Sequence, residues 1–377
     1  MKKAKIKKII FLTGTRADFS KLKPLINKVE NSNLFECYIF ITGMHALPKY
    51  GFTFREVYKE GYKNIFVYTN QTNTTDMDII LSNTIVGFSS FVNEIKPDMI
   101  VIHGDRVEPL AGAIVGSMNN ILVAHVEGGE VSGNIDESIR HAVSKLSHIH
   151  FVAHEEAKRR LIRMGELKNS IFIIGSPDID IMKLDKLPTI QVVKKRYEIP
   201  FNKYAIFIFH PVTTILETLE GDIKEILSAL VESNKNYVVI YPNNDKGTDI
   251  ILKEYKRFNN KKSFRVLPSM RLEFFLALLK NAGFIIGNSS VGIREAEIYN
   301  IPAINIGIRQ KNRTKNKDII NINPRKEDIF KAIQITEGLK IRRGEIKAIG
   351  SFGKGDSAEN FYKIIKDGRI WSTKIQK

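Results

Sequence analysis

The segment from Pro97 to His154 constrains the fold of this chain more than any other part of its sequence. Two amphipathic patterns, Val107–Asn119 and Asp136–Ser147, predict helices and alternate with three short apolar runs. These runs are rich in β-branched residues, as buried parallel strands are, and they predict strands at Asp98–His103, Ile121–His125 and Ile149–Ala153. The segment therefore predicts a β-α-β-α-β unit. Right-handed crossovers place the carboxyl ends of such strands at one sheet edge, where open α/β sheets bind ligands.

Three acidic residues follow these strands at the predicted ligand-binding edge. Asp105 comes directly after the first strand, and Glu127 follows the second strand in the sequence Glu-Gly-Gly-Glu. Asp136 opens the next helix, and Arg140 lies one turn further along the same helix face. One acid at a strand end is often only structural, but three at one edge favour a functional site.

The composition sets limits on the class of protein. A chain of 377 residues exceeds what one hydrophobic core usually supports, so we expect two domains. No apolar run approaches the roughly 18 residues that span a membrane, and the short run Ile9–Leu12 fits a first strand better than a signal peptide. Cys37 is the only cysteine, which excludes a disulfide framework. We therefore expect a cytoplasmic protein.

The formal net charge of +17 is high enough that nucleic acid or an acidic membrane surface has to be considered as a partner. The cations are nevertheless spread along the chain in doublets such as Lys7-Lys8, Arg159-Arg160 and Lys261-Lys262. This spread favours an anionic small substrate, and we expect neither nucleic acid nor a membrane as partner. A nucleic-acid-binding module stays a rival hypothesis, which predicts steeply salt-dependent binding.

The remaining sequence repeats the α/β alternation in two series. The first opens with a strand at Ile6–Thr13, a Gly14–Asp18 turn and a helix at Ser20–Glu30; such a turn is also a weak phosphate signal, because helix-start amides point outward. The second series begins with a strand at Tyr204–His210. We expect the α/β class with two Rossmann-like doubly wound domains facing a cleft. The predicted domains are 1–180 and 181–356, with a helix in 357–377 packing back on the first.

The second series carries a loop that suits a diphosphate. Asn288, Ser289 and Ser290 lie between two glycines and lead into a helix predicted over Ile293–Tyr299. Serine hydroxyls and amides at a helix start bind phosphate, although a serine there is often only a cap. Glu295, in the first turn of that helix, suits a ribose diol or simply complements the helix dipole.

Other polar residues are candidates for phosphate contacts. His210, at a strand end before a proline, is a candidate general acid or phosphate donor. Three arginines could clamp phosphates bidentately, although each alone is more often a surface charge: Arg16, Arg309 and Arg313. Phe275 fits a core position on composition alone. No spacing of histidines and acids resembles a metal site, so we expect neither a metal nor a cofactor.

Several sequence blocks together resemble the hydrolysing UDP-N-acetylglucosamine 2-epimerase family. In chain order, between Lys8 and about Gly338, they read HGDR, HVEGGEVSGNIDESIRHAVSKLSH, HPVTT, GNSSVGIRE and GIRQKNR. Ala17-Asp18-Phe19 stands where non-hydrolysing relatives carry Pro-Glu after the first arginine, and Gly43-Met44-His45 stands in place of their Gly-Gln-His. Both departures favour the hydrolysing branch. The resemblance also implies the two-domain glycosyltransferase-B fold.

The resemblance implies a role for each matched residue. Asp105, Glu127 and Asp136 match the catalytic carboxylates, and Arg140 matches an active-site arginine. His210 matches a histidine that is catalytic or contacts phosphate. The remaining matches are nucleotide contacts: Asn288, Ser289 and Ser290 for the diphosphate, Glu295 for the ribose, Phe275 for uracil stacking, and Arg16, Arg309 and Arg313 for phosphate.

The implied reaction converts UDP-N-acetylglucosamine and water into N-acetylmannosamine and UDP, for sialic acid synthesis. A carboxylate removes the weakly acidic proton on carbon 2 while UDP departs, which leaves 2-acetamidoglucal. Water then adds at the anomeric carbon, and carbon 2 is protonated from the opposite face. The same motifs fit UDP-N,N'-diacetylbacillosamine, the precursor of a 2,4-diacetamido-trideoxymannose analogue for legionaminic acid. Which carboxylate is the acid and which the base stays open.

A glycosyltransferase of the same fold is the main rival, although an acceptor site has no need of three acids. Loops that would distinguish the two sugars at carbons 4 and 6 are Gly43–Tyr50, Asn70–Thr75 and Val131–Ile135. We expect a UDP-sugar as the ligand and a homo-oligomer, either a dimer or a tetramer.

Overall fold

A computed structural model of the chain describes residues 6–72, 76–132, 135–182, 187–310, 319–339 and 352–373. These residues form two compact units. Unit 1 contains the described parts of Met1–Glu130, Asp136–Leu184 and Gly350–Lys377, and unit 2 those of Val131–Ile135 and Asp185–Ile349. Each unit is built on one parallel sheet with alternating helices, so the predicted α/β class with two doubly wound sheets is confirmed.

Unit 1 has a seven-stranded parallel sheet in the order β3-β2-β1-β4-β5-β6-β7. Its strands are β1 (Lys7–Thr13), β2 (Phe35–Ile41), β3 (Ile65–Val67), β4 (Met99–His103), β5 (Leu122–Val126), β6 (Ile149–Val152) and β7 (Ile171–Ile173). The helices of the same part are α1 (Arg16–Glu30), α2 (Phe54–Tyr58), α3 (Met77–Ile95), α4 (Val107–Met118), α5 (Ile135–Leu146), α6 (Glu155–Arg163) and α7 (Pro177–Met182).

Helices cover both faces of this sheet, which explains why its central strands are almost wholly apolar. Successive strand residues point to opposite faces. In β1, Ile9 and Phe11 therefore join one hydrophobic cluster, whereas Ile10 and Leu12 join another. The first cluster also contains residues of α1, and the second residues of α3, α4 and α5.

Unit 2 has a six-stranded parallel sheet in the order β10-β9-β8-β11-β12-β13. Its strands are β8 (Ala205–Ile208), β9 (Tyr237–Ile240), β10 (Phe264–Leu267), β11 (Ile285–Gly287), β12 (Ala303–Ile306) and β13 (Ile319–Ile322). Its helices are α8 (Ile190–Tyr197), α9 (Leu219–Glu232), α10 (Thr248–Tyr255), α11 (Leu272–Lys280), α12 (Glu295–Ile298) and α13 (Lys326–Gly338). One hydrophobic cluster holds α9, α10 and α13 against the sheet.

The last helix, α14 (Ser357–Asp367), packs on unit 1. Phe361 is fully buried there, with its ring centroid 4.9 Å from that of Phe151 and 6.4 Å from that of Phe11. Among the residues described, no helix is long and apolar enough to cross a membrane.

Helix α1 begins four residues earlier than the sequence suggested, at Arg16 rather than Ser20. The cause is a capping box, in which the Thr15 side chain accepts from the Asp18 backbone N–H and the Asp18 carboxylate accepts from the Thr15 N–H. The same carboxylate accepts from the Gly14 N–H at 2.9 Å. Asp18 therefore occupies the Gly14 and Thr15 amides, and phosphate binding at this turn stays a prediction.

Four elements were not anticipated from the sequence: α2, β3, β13 and α13. The three-residue strand β3 and the five-residue helix α2 are too short to show a period. Helix α13 does carry a signal, because Ile329, Ala332, Ile333 and Thr336 are buried at the spacing of one helix face. It was therefore detectable.

The loop after β11 also differs from expectation. A helix was predicted over Ile293–Tyr299, but the structure has a short 3-10 turn at Ser290–Gly292 and then only the four-residue α12. The Ser290 carbonyl accepts from the backbone N–H groups of Ile293 and Arg294, which ties the loop to itself. A helix this short contributes little dipole, so phosphate binding there would depend on side chains.

Both strand orders contain a switch point, where the chain moves from one side of the first strand of the sheet to the other. In unit 1 it lies between β1 and β4, and in unit 2 between β8 and β11. Ligands of open α/β sheets bind outside the carboxyl ends of the strands at such points. The residues after β4 and after β8 and β11 are therefore the places to look for a site.

Candidate active site

The carboxyl edge of the unit 1 sheet places Asp105 and Glu127 after two neighbouring strands. β4 and β5 are paired in parallel register, with His103 opposite Val126, so the residues that follow them leave the same edge. Asp105 accepts a hydrogen bond from the Arg140 guanidinium. Asp136 lies half-buried in the first turn of α5, four residues before Arg140. Asp136 and Arg140 therefore share one face of α5, and Arg140 reaches Asp105.

Glu127 is the most constrained of the predicted residues. It is 5% exposed, and its backbone is in the left-handed region at φ 61°, which is unusual for a residue with a side chain. Such backbone strain persists where the surroundings fix it and is frequent at functional sites. Its N–H donates to the Phe151 carbonyl of β6 at 2.9 Å, which holds the strained turn to the sheet.

Three side chains from different elements donate to the Glu127 carboxylate. Ser176 Oγ, just before α7, donates to Oε1. His103 Nε2, at the end of β4, lies 3.1 Å from Oε2, and Lys21 Nζ of α1 lies 3.3 Å from the same oxygen. Lys21 also pairs with the buried Asp178 of α7 at 2.9 Å.

His125 supports the turn that carries Asp105. Its Nε2 lies 2.8 Å from the Gly104 carbonyl, and because a carbonyl only accepts, Nε2 carries the proton. Nδ1 then accepts from the Ser144 hydroxyl at 3.0 Å. Burial lowers the pKa of His125 to about 3, against a smaller raising effect of the Gly104 carbonyl, so the ring is neutral at physiological pH.

The sequence alone gave no supporting role to six residues of this edge, although His103 and His125 were seen to lie near the acids: Lys21, His103, His125, Glu108, Ser176 and Asp178. Glu108 is fully buried, and a Cβ on Gly14 would come within 2.8 Å of its side chain. Its carboxylate lies 3.7 Å from Arg106 Nε. Arg16, by contrast, was predicted, and its guanidinium lies 3.7 Å from the Glu56 carboxylate. Only the HGDR block offered a sequence signal for His103; a single lysine, serine or aspartate has none.

In unit 2, His210 and Asn288 are locked together at the switch point. The Asn288 side chain accepts from the His210 backbone N–H at 2.7 Å and donates to the His210 carbonyl at 2.8 Å. The Asn243 backbone N–H donates to His210 Nδ1 at 3.1 Å. Because Nδ1 accepts, Nε2 of the neutral ring carries the proton and is a donor.

The loop after β12 is tied to the loop after β11 through the backbone carbonyl of Asn288. The buried side chains of Arg309 and Gln310 both reach the Asn288 backbone oxygen, at 3.4 and 2.9 Å. Ser289 and Ser290 are half-buried beside it. Ser289, Ser290 and Arg309 are therefore held in one local assembly, whereas Arg16 lies in unit 1 and Arg313 lies outside the described residues.

Glu295 and Phe275 lie on short helices of the same unit. Glu295 is buried at the start of α12, and its charge is the lesser cause, after burial, of a raised pKa for Tyr299. Phe275 is 6% exposed on α11, so little of its ring faces solvent. A stacking role for this ring stays a prediction. Among the described residues no group of three or more His, Cys, Asp or Glu could hold a metal ion.

The fold and these two groups of residues define a two-domain α/β protein with clustered acids in one unit and a polar, arginine-bearing loop assembly in the other. A family model described as UDP-N-acetylglucosamine 2-epimerase matches residues 27–366. The chain belongs to this family, and the resemblance found in its motifs is confirmed.

Named relatives and a solved structure agree with this assignment. The chain is 46% identical over 375 residues to a UDP-N-acetylglucosamine 2-epimerase of Neisseria meningitidis serogroup B, covering 99% of this chain and 98% of the relative. It is 32% identical over 365 residues to a UDP-N,N'-diacetylbacillosamine 2-epimerase (hydrolyzing) of Legionella pneumophila, with 96% of each covered. The crystal structure of the Methanocaldococcus jannaschii UDP-GlcNAc 2-epimerase with UDP-GlcNAc and UDP superposes with a TM-score of 0.78 at 26% identity, covering 96% of this chain and 100% of that one.

Gly287 is required by the approach of β11 to β8. Its φ is 138°, and a Cβ there would lie 1.8 Å from the Ile208 carbonyl oxygen. We expect Gly287→Ala to destabilise unit 2 by at least about 3 kcal/mol, because backbone must move and a strained φ is imposed. Thermal unfolding measures this loss. The control is Gly283→Ala, whose Cβ would lie 3.5 Å from the nearest atom; equal stability of the two variants would contradict the prediction.

Proposed function

We propose that the protein is a hydrolysing UDP-sugar 2-epimerase that converts UDP-N-acetylglucosamine and water into N-acetylmannosamine and UDP through 2-acetamidoglucal. The observation that carries the proposal is the Glu127 carboxylate, held by three donors at the carboxyl edge of a parallel sheet beside the Asp105–Arg140 pair. Proton transfer at carbon 2 needs a carboxylate held in place.

The hydrogen-bond donors around Glu127 fit the role of a general base. An ionised carboxylate offers about four lone-pair sites, and Ser176, His103 and Lys21 use three of them. Hydrogen bonds and a cation favour the charged form of a carboxylate, so this group is prepared to accept rather than to deliver a proton.

Asp105 and Asp136 would then serve the later steps. Asp105 is held by Arg140, and its side chain remains a quarter exposed. Asp136 shares the helix face of that arginine. We propose that these two carboxylates direct water to the anomeric carbon and return a proton to carbon 2 on the opposite face.

The residues of unit 2 would bind the departing UDP. We propose that Ser289, Ser290, Asn288 and Arg309 contact the diphosphate, while phosphate contacts of Arg16, which lies in unit 1, and of Arg313 stay predictions. The His210 Nε2–H is a donor, which favours a phosphate contact over a catalytic base. Glu295 would hold the ribose and Phe275 the uracil. Stabilising the charge of the leaving group in this way lowers the barrier to elimination.

The sugar is proposed to be UDP-N-acetylglucosamine. In favour of it, the Neisseria relative of that name is 46% identical and the Legionella enzyme for UDP-N,N'-diacetylbacillosamine 32% identical. Two of the loops expected to distinguish these sugars are joined, because the Gly43 N–H donates to the Asn70 side chain at 3.0 Å. His45 in the first loop is fully buried, with Nδ1 2.7 Å from the Thr53 hydroxyl, so it belongs to the loop's support.

The hydrolysing branch is supported by the sequence after Arg16 and by the word hydrolyzing in the name of the Legionella relative. N-acetylmannosamine would then supply sialic-type acid synthesis. The homo-oligomer and the cytoplasmic location expected from the sequence stay predictions. Release of UDP without any acceptor would separate this proposal from the glycosyltransferase hypothesis.

Glu127→Gln should lower turnover at least about a hundredfold, because a positioned general base contributes that much, while UDP binding is retained. Turnover is measured as UDP release from UDP-N-acetylglucosamine, and binding by calorimetry. The matched control is Glu130→Gln, since Glu130 lies in the same Glu-Gly-Gly-Glu turn but pairs with His154 at 3.0 Å. Turnover of Glu127→Gln near the wild-type rate would contradict the base assignment.

Arg309→Ala should weaken UDP binding at least about tenfold, because a buried cation that makes charge-assisted hydrogen bonds is lost. Titration calorimetry with UDP gives the affinity directly. Arg257→Ala is the control, because Arg257 lies on the surface of unit 2 and contacts the Ser228 hydroxyl at 3.1 Å. Unchanged UDP affinity in a folded Arg309→Ala protein would remove Arg309 from the phosphate site.

A further inference from the structure

The turn after β7 reaches the candidate base through one side chain. Ser176 is fully buried, and its hydroxyl donates to Glu127 Oε1, whereas Lys21 and His103 lie against Oε2. Oε2 is thus shared by a cation and an imidazole. Ser176 therefore restricts the rotation of the carboxylate about its last bond, because its hydroxyl binds Oε1.

The C-terminal part of the chain holds this turn. The Phe352 carbonyl accepts from the Ser176 backbone N–H at 2.7 Å. Gly353 lies directly against Gly175: its φ is 103°, and a Cβ there would come within 2.7 Å of the Gly175 Cα. This approach requires glycine, so the contact is specific to the two segments that make it.

The same segment is anchored on both sides of the turn. The Asp180 carboxylate accepts from the backbone N–H groups of Ser357 and Ala358 at 3.0 and 2.9 Å, at the start of α14. Asn360 Nδ2 donates to the Ile174 carbonyl at 3.3 Å. The helix that follows is fixed in the core of unit 1 by Phe361. The turn is thus held by a rigid element that is remote in sequence.

We propose that Ser176 is a positioning residue for Glu127, and that residues 352–360 act on the reaction by fixing Ser176. This inference rests on the proposed function, in which Glu127 accepts the proton from carbon 2. The titratable and charged groups that face Glu127 are Lys21 of α1, His103 of β4, His125 of β5 and, through Lys21, Asp178 of α7.

Ser176→Ala removes one donor to the charged carboxylate. We expect kcat to fall about tenfold with KM changed less than about twofold, because the base is misplaced rather than the substrate lost. In the pH profile of kcat/KM, the acidic limb should shift to higher pH by about one unit, since the lost hydrogen bond favoured the ionised form of Glu127. Ser147→Ala is the matched control: Ser147 is equally buried but donates to the Val143 carbonyl at 2.7 Å.

A second pair of variants tests the C-terminal segment. Gly353→Ala should push the segment off Gly175 and shift the acidic limb in the same direction as Ser176→Ala. Gly368→Ala is the control, because Gly368 has a similar φ of 88° but open space around it. A folded Gly353→Ala protein with the wild-type pH profile would remove the C-terminal segment from the proposal.

The Glu127 carboxyl group can be followed directly by 13C NMR of protein labelled at glutamate Cδ. The signal of Glu127 is the one that disappears in Glu127→Gln. We expect its titration midpoint to rise by about one pH unit in Ser176→Ala and to stay in place in Ser147→Ala. An unmoved midpoint overturns the inference. This readout needs no turnover, so failure of the wild type to release UDP would reject the proposed function alone.

Discussion

A buried carboxylate is stable only when donors replace the water it has lost, and Glu127 draws those donors from three separate elements of unit 1. Helix α1 brings Lys21, the end of β4 brings His103, and the turn after β7 brings Ser176. The backbone of Glu127 itself is held in the left-handed region by the sheet. The strand order of the sheet brings these elements to one edge, and the segment before the C-terminal helix contacts the turn that carries Ser176.

In unit 2, backbone contacts hold the loop after β11, at the switch point of the sheet. Gly287 allows β11 to meet β8 without a Cβ, and Asn288 then completes two hydrogen bonds with the main chain of His210. Arg309 and Gln310 bind the Asn288 carbonyl, so the loop that carries the serines is held before any ligand arrives. Preorganisation of this kind reduces the entropy that binding has to overcome.

Apart from β3 and β13, the strands of both sheets could be predicted, and so could the acids that follow β4 and β5, because buried parallel strands and strand-end loops leave a local pattern. The start of α1 was missed because the Thr15–Asp18 capping box depends on side-chain hydrogen bonds. Helix α12 was overestimated because the Ser290 carbonyl ties the loop to itself. Ser176 and Lys21 could not have been found, since their importance comes from contacts between segments 49 and 106 residues apart.

The most direct test of proton abstraction at carbon 2 is the reaction in deuterated water, with the product followed by proton NMR. Elimination and re-addition require that the released sugar carry one solvent deuteron at carbon 2 in the manno configuration, with UDP set free. UDP-N-acetylglucosamine and UDP-N,N'-diacetylbacillosamine are compared side by side. Protium retained at carbon 2 of the product would contradict the account of Glu127 as the base.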